Sequence, residues 1–176
     1  MNKPSQQFEK AALLHLRAAY NLARWLVRDE HIAQDMVQEA YLRAIKYSSG
    51  FNGDDIRPWI LGIVRNTCYT WLQSNRSGEA ILEFDENLDS DAYHSMNGSM
   101  TNNPEALLLS KQEGSRVNAA IAMLAPVFRE VLVLRELEGL TYEEIATVAG
   151  IPAGTVMSRL ARARTMLRAE LNKEQQ

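Results

Sequence analysis

The stretch from Thr141 to Arg168, TYEEIATVAGIPAGTVMSRLARARTMLR, marks its own boundaries. Thr141 is followed three residues later by Glu144, the spacing of a capping box, which starts a helix. Ile145, Val148 and Ala149 give that helix an apolar side. Gly150 ends it, because glycine accepts the left-handed conformation that stops a helix. Ile151-Pro152-Ala153 is a short turn, and proline suits the entry to a new helix. In that helix Val156, Leu160, Leu167 and Leu171 fall on one face, and Thr155, Ser158, Arg159, Arg162 and Thr165 on the other. A short helix, a tight turn and a second helix with an outer face of hydroxyls and arginines has the layout of a DNA-reading helix-turn-helix. An ordinary helical hairpin with a solvated basic face meets the same periodicity.

A net charge of −3 over 176 residues argues against a nucleic-acid partner until it is divided along the chain. Residues 1–78 carry +3, residues 79–113 carry −7, residues 114–150 carry −2 and residues 151–176 carry +3. Both ends are basic, and one acidic segment masks them. Nucleic-acid affinity draws on neutralised phosphates, so a chain with so few spare cations is expected to bind DNA weakly alone. Cys68 is the only cysteine, which excludes an internal disulfide or a cysteine zinc site. Among Ile63, Val64 and Trp71 it is expected to be a small core residue. No apolar run approaches the ~18 residues of a membrane span and no signal core opens the chain, so a cytoplasmic protein without membrane insertion is expected.

The rest of the chain predicts an all-α protein: two small helical domains joined by a flexible linker, the C-terminal one carrying the helix-turn-helix. The first domain spans residues 8–76. One helix is predicted from Phe8 to Val27, with Leu14, Ala18, Leu22 and Trp25 buried. Asp29 caps a second, with Ile32, Met36, Ala40 and Ala44 inward, flanked by Val37, Tyr41 and Ile45, and Ser48-Ser49-Gly50 at its end. A polar loop at Phe51–Ile56 follows, and Pro58 starts a third helix with Trp59, Ile63, Thr67 and Trp71 inward. Residues 77–103 are rich in Ser, Asn, Asp and Gly without a sustained period, an acidic flexible linker. Its carboxylates Glu83, Asp85, Glu86, Asp89 and Asp91 either lie against the basic domains or simply solubilise a tether. Residues 104–173 form the second domain. It has a helix lined by Leu107, Leu108, Val117, Ile121 and Leu124 and interrupted at Gly114. A further helix from Pro126 follows, with Val127, Val131, Leu134 and Leu137 inward and Gly139 at its end.

LAPVFREVLVLRELEGLTYEEIATVAGIPAGTVMSRLARARTMLRAEL resembles the C-terminal domain (region 4) of bacterial sigma factors of the extracytoplasmic-function (ECF) group, in the sigma-70 family. AQDMVQEAYLRAIK and RPWILGIVRNTCYTWL resemble the other conserved sigma domain (region 2). The resemblance covers about residues 9–76 and 105–172, with both motifs in family order. It implies an alternative sigma factor that binds core RNA polymerase through the β′ coiled coil and the β flap and directs initiation at promoter DNA. No cofactor, metal or catalytic residue is implied. An anti-sigma factor is the expected regulator.

The resemblance also carries residue roles. The −35 element falls to Thr155, Met157, Ser158, Arg159, Ala161, Arg162 and Arg164. Arg162 is the candidate for a bidentate guanine contact. Arg159 is the candidate for a phosphate, and Arg164 and Arg168 either hold phosphate or are solvated. Met157 stands where the family usually carries Lys or Arg, which removes a backbone contact or changes a base preference. The single-stranded −10 element falls to Phe51, Asn52, Gly53, Arg65, Asn66 and Tyr69. Thr70 and Gln73 stand where the family often has Asp and Arg. The polymerase face falls to Asp35, Gln38, Glu39, Leu42 and Arg43, on which an Asp35–Glu39–Arg43 ladder of a solvated helix would look the same. A stand-alone helix-turn-helix regulator remains the alternative binding class, although the first domain offers neither a ligand pocket nor a dimer surface. An enzyme is disfavoured, since His15, His31 and His94 are scattered and no nucleophile, zinc or phosphate-loop pattern occurs.

Overall fold

The computed structural model describes residues 6–75 and 104–173, with side chains from Gly114 onward in the second stretch. The predicted linker, residues 77–103, and the Leu107–Leu108 stripe lie outside what is described. Every element among the described residues is helical. They are α1 (Gln6–Leu13), α2 (Leu16–Val27), α3 (Glu30–Lys46), α4 (Ile56–Asn75), α5 (Pro104–Met123), α6 (Pro126–Leu132), α7 (Tyr142–Ala149) and α8 (Ala153–Lys173).

The one helix expected from Phe8 to Val27 is two. The amides of Leu14 and His15 donate to the carbonyls of Ala11 and Ala12, three residues back, which tightens the turn and breaks the helix. The Tyr41 hydroxyl donates to the Ala12 carbonyl at 2.8 Å, so a partner from α3 satisfies the broken end. Leu14, expected inside, is 81% exposed at this knuckle. Asp29 caps α3 as expected, accepting from the Ile32 amide at 3.0 Å, and Met36, Ala40 and Ala44 face the core together with Ala33 and Val37. Ile45 points outward.

Helix α4 is the centre of the molecule. It packs against α2 and α3 on one side and against α7 on the other. That double coverage rotates its buried stripe from the expected Trp59, Ile63 and Trp71, which are half-buried, to Ile60, Leu61, Val64, Thr67 and Cys68. Burial pushes the Cys68 thiol up to about 12. The thiolate is the reactive form, so native Cys68 is expected to resist iodoacetamide at pH 8 and to react once denatured. Mass spectrometry of the alkylated chain reads this directly, and rapid native labelling would contradict the packing.

In the second domain α5 runs continuously through Gly114, where an interruption was expected; Gly114 is exposed, with open space around it. Helix α6 widens after Leu132 into a π turn, Val133–Leu137, closed by the Glu138 amide on the Val133 carbonyl. Val131 and Leu134 are buried, while Leu137, expected inside, is 53% exposed. Gly139 follows at φ +67°, a conformation that favours glycine.

The helix-turn-helix forms as its punctuation predicts. The Glu144 amide donates to Thr141 Oγ1 at 3.2 Å and the Thr141 amide donates to Glu144 Oε2 at 2.6 Å. Gly150 closes α7 at φ +67°. Val156 and Leu160 are fully buried against α6 and α7. Thr141→Ala removes one half of the reciprocal cap and is expected to cost about 1 kcal/mol, read as a lower midpoint in urea at unchanged slope.

The two domains do not stand apart. Their buried residues form one continuous apolar cluster, and polar bonds stitch the seam. The Arg129 guanidinium donates to the Trp25 carbonyl at 2.6 Å, Asn21 Nδ2 donates to Glu138 Oε1 at 3.0 Å, and the Arg57 guanidinium donates to the Glu138 carbonyl.

Candidate nucleic-acid interface

Helix α8 presents its outer face to solvent. Ser158 and Met157 are exposed, and Thr155 and Ala161 are half-buried beside them. The Ser158 hydroxyl donates to the Thr155 carbonyl at 3.0 Å, and that of Thr165 to the Ala161 carbonyl at 3.1 Å, so both hydroxyls are satisfied locally. Arg162 is half-buried on the same side. Arg164 is held by Glu136 at 2.6 Å, with both side chains about half exposed. That pairing raises the Arg164 pKa, and at this exposure such a pair contributes little to stability.

Arg159 departs from its expected role. Its side chain is only 11% exposed and turns inward, Nη1 lying 3.9 Å from Glu130 Oε1. It is not on the outer face with Ser158. Glu130 is wholly buried. It is also the partner of Arg65, whose Nε donates to Oε2 at 2.8 Å and whose Nη2 donates to Oε1 at 3.1 Å. Arg65 lies 4.2 Å over the Tyr69 ring, and the Tyr69 hydroxyl is buried beside the same carboxylate. Burial pushes the Glu130 carboxyl up from its usual range, against the pull of Arg65 and Arg159. Burial works against the Arg65 charge, but Glu130 more than offsets it and raises its pKa. Burial, reinforced by Glu130, also raises the Tyr69 hydroxyl above its ordinary value.

Of the expected −10 residues, Arg65 and Tyr69 are therefore engaged in the seam, while Asn66 is exposed beside them and accepts from Arg65 Nη1 at 3.4 Å. In the loop before α4, Asn52 and Gly53 are exposed. Phe51 is not free to stack on a base: its ring packs 5.2 Å from Trp59 and 6.3 Å from Phe8, in an aromatic trio. The loop forms one wall of a cavity of about 490 Å³, and Glu143, Glu144 and Thr147 of α7 form the other.

On α3, Asp35, Gln38, Leu42 and Arg43 are exposed and Glu39 is half-buried. Glu39 pairs with Arg43, but Asp35 does not extend this into a ladder. Next to Gln38 and Gln34 a groove of about 730 Å³ runs to the Leu13, Leu14 and Leu16 knuckle. Glu130 and the knuckle were missed in the sequence. The sequence signal for Glu130 is an Arg-Glu pair inside the apolar run from Val127 to Leu134. The knuckle has no local signal.

The chain matches the family described as Sigma-70 region 2 over residues 12–78 and that described as Sigma-70, region 4 over residues 105–167. It is 31% identical over 160 residues to the ECF RNA polymerase sigma factor SigE of Mycolicibacterium smegmatis, spanning 90% of this chain and 59% of that relative. It is 32% identical over 160 residues to the RNA polymerase sigma-H factor of Pseudomonas aeruginosa, covering 89% and 82% of the two chains. Its fold superposes on the sigma factor RpoE in complex with the anti-sigma factor NepR from Bartonella quintana, with TM-score 0.68, 27% identity and coverage of 95% and 98%. CnrH in complex with the cytosolic domain of CnrY shares the fold at TM-score 0.65 and 23% identity, over 94% of this chain and 88% of that one. The two matched regions, in that order and each on its own helical lobe, make this chain a member of the ECF group of the sigma-70 family.

Proposed function

We propose that the chain is an alternative sigma factor: it binds core RNA polymerase and directs promoter-specific initiation, and it is not itself an enzyme. Asp35, Gln38, Glu39, Leu42 and Arg43 dock the first lobe on the β′ coiled coil, and the second lobe meets the β flap. Thr155, Met157, Ser158, Ala161, Arg162 and Arg164 face −35 duplex DNA. Asn52, Gly53, Arg65, Asn66 and Tyr69 take the melted −10 strand, with Phe51 shaping the loop from within. Arg159 props α8 through Glu130.

The observation that carries this reading is the exposure of the α8 outer face and of the α3 face on one chain that matches both sigma regions. Mixed charge around a single exposed leucine on α3 suits a specific protein interface. The magnitudes also require a partner. Each base-pair step costs about 1.4 kcal/mol of stacking to lose, and a captured base returns about 1–3 kcal/mol. A chain that holds one or two bases cannot open a promoter unaided. One structural neighbour, RpoE of Bartonella quintana, is held by the anti-sigma factor NepR, which supports control of this chain in trans.

Competition for core polymerase tests the reading. The chain is expected to displace a labelled sigma factor from core enzyme stoichiometrically. A helix-turn-helix regulator would bind DNA and leave the labelled sigma in place.

A further inference from the structure

Helix α8 carries one large apolar side chain where its neighbours on the outer face are polar or small. Val156, Leu160 and Ala163 meet the core and are buried. Met157 stands off that side and is 42% exposed. About one turn before it, Gly154 is exposed, with nothing within 4 Å of where a Cβ would lie. One turn after it, Ala161 is half-buried, and Ser158 beside it is exposed. Met157 therefore projects from a stretch of low relief, which lets the floor of a groove come close. Left in water such a side chain contributes nothing, and covered by another apolar group it contributes favourably. Met166 is also exposed, but it lies nine residues on and half a turn round the helix.

We infer that Met157 selects a thymine in the −35 duplex through the C5 methyl group of the base, with Ala161 flanking the contact from the next turn. The inference rests on the assignment of α8 to that duplex. The N-terminal residues of a recognition helix reach base edges, and Met157 is the fifth residue of α8, which starts at Ala153. Every base pair offers hydrogen-bonding groups in the major groove, and thymine alone adds a methyl. The methionine side chain has no donor and only a weak acceptor, so it recognises by apolar contact. Its unbranched, polarisable chain adapts to a methyl group without demanding one fixed angle. A G·C pair in the same place would lose water from polar edge groups and gain no partner, which is unfavourable. Met157 thus favours thymine by the methyl contact and disfavours G·C by the unmet polar groups, while the arginine and hydroxyl positions read hydrogen bonds.

Uracil in place of thymine removes the methyl and leaves the base pair intact, which isolates the contact. Holoenzyme assembled with this chain is titrated with duplexes carrying the −35 element it selects, each thymine replaced by uracil in turn. The wild type is expected to lose about fourfold in affinity at one thymine, the worth of burying a single methyl group. Met157→Ala is expected to bind the thymine and uracil duplexes equally at that position, and Met157→Leu, which keeps an apolar tip, to preserve the difference. Alanine is a strong helix former, so helix content is expected to be unchanged by circular dichroism. Replacing the sensitive T·A pair by C·G and then methylating that cytosine at C5 is expected to restore about fourfold with the wild type and nothing with Met157→Ala. An element whose thymines all tolerate uracil, or a uracil loss that survives Met157→Ala, would overturn the inference. The assignment of α8 is read in the same titrations. If Met157→Ala and Arg162→Ala both leave duplex affinity and −35 preference unchanged, that assignment fails. If Arg162→Ala changes them while uracil costs nothing, only the methyl contact fails.

Discussion

Reversing the charge of Asp35 and Glu39 together, Asp35→Arg with Glu39→Arg, is expected to remove the chain from competition for core RNA polymerase. Both residues lie on the α3 face beside Leu42, which is 63% exposed. Charges fixed across a protein interface typically cost about 2–5 kcal/mol when their partners are left buried and unpaired. Juxtaposing like charges adds to that, so a loss of at least roughly 100-fold in core affinity is expected. The fold is expected to survive. Among the described residues Glu39 pairs with Arg43 on its own helix, and trading that pair for a repulsion costs about 0.5 kcal/mol. Equilibrium competition against a labelled sigma factor gives the affinity, and far-ultraviolet circular dichroism confirms the helix content. Unchanged affinity in the double reversal would take α3 out of the interface.

Arg162→Ala is expected to produce the second large effect, on sequence preference. An arginine fork on a guanine discriminates by about 1–3 kcal/mol, so preference at one or two −35 positions is expected to relax by roughly 5- to 150-fold. Selection from a randomised duplex library with wild-type and Arg162→Ala holoenzymes reads the change position by position. Equal loss on all sequences would make Arg162 a phosphate contact instead. Arg159→Ala belongs to a different class. Its guanidinium sits beside buried Glu130, which keeps both bonds from Arg65, so the expected result is a stability loss of about 0.5–3 kcal/mol from the loss of one of its two cations and of a buried side-chain stem. The salt slope of DNA binding is expected to stay the same.

Local chemistry made the helix-turn-helix legible. Thr141, Glu144 and Gly150 state a start and a stop within ten residues, and each does in space what its type dictates. Asp29 and Gly139 are legible for the same reason. The break at Leu14 was hidden, because what satisfies it is the hydroxyl of Tyr41, 29 residues away. The α4 stripe was misplaced because periodicity reports that a helix has an inner face and not that it has two covers. Arg159 shares spacing with Ser158 and Arg162, but it turns inward beside the buried carboxylate on α6. The seam itself joins Arg65 to a residue 65 positions on, beyond the reach of any local pattern. The exposure of Ser158, Met157, Asp35, Gln38 and Leu42 on open helix faces could be read from sequence. The engagement of Arg65, Tyr69 and Arg159 around Glu130 could not.

Transcription in a purified system tests the central claim most directly. Core RNA polymerase, which lacks promoter specificity, is supplied with this chain and a library of upstream sequences from its own genome, and transcript starts are mapped. Discrete starts are expected that appear only with the chain present, share a −35 and a −10 element, and vanish with the Asp35→Arg, Glu39→Arg double variant. Random starts unchanged by the chain, or specific starts that persist with the double variant, would contradict it.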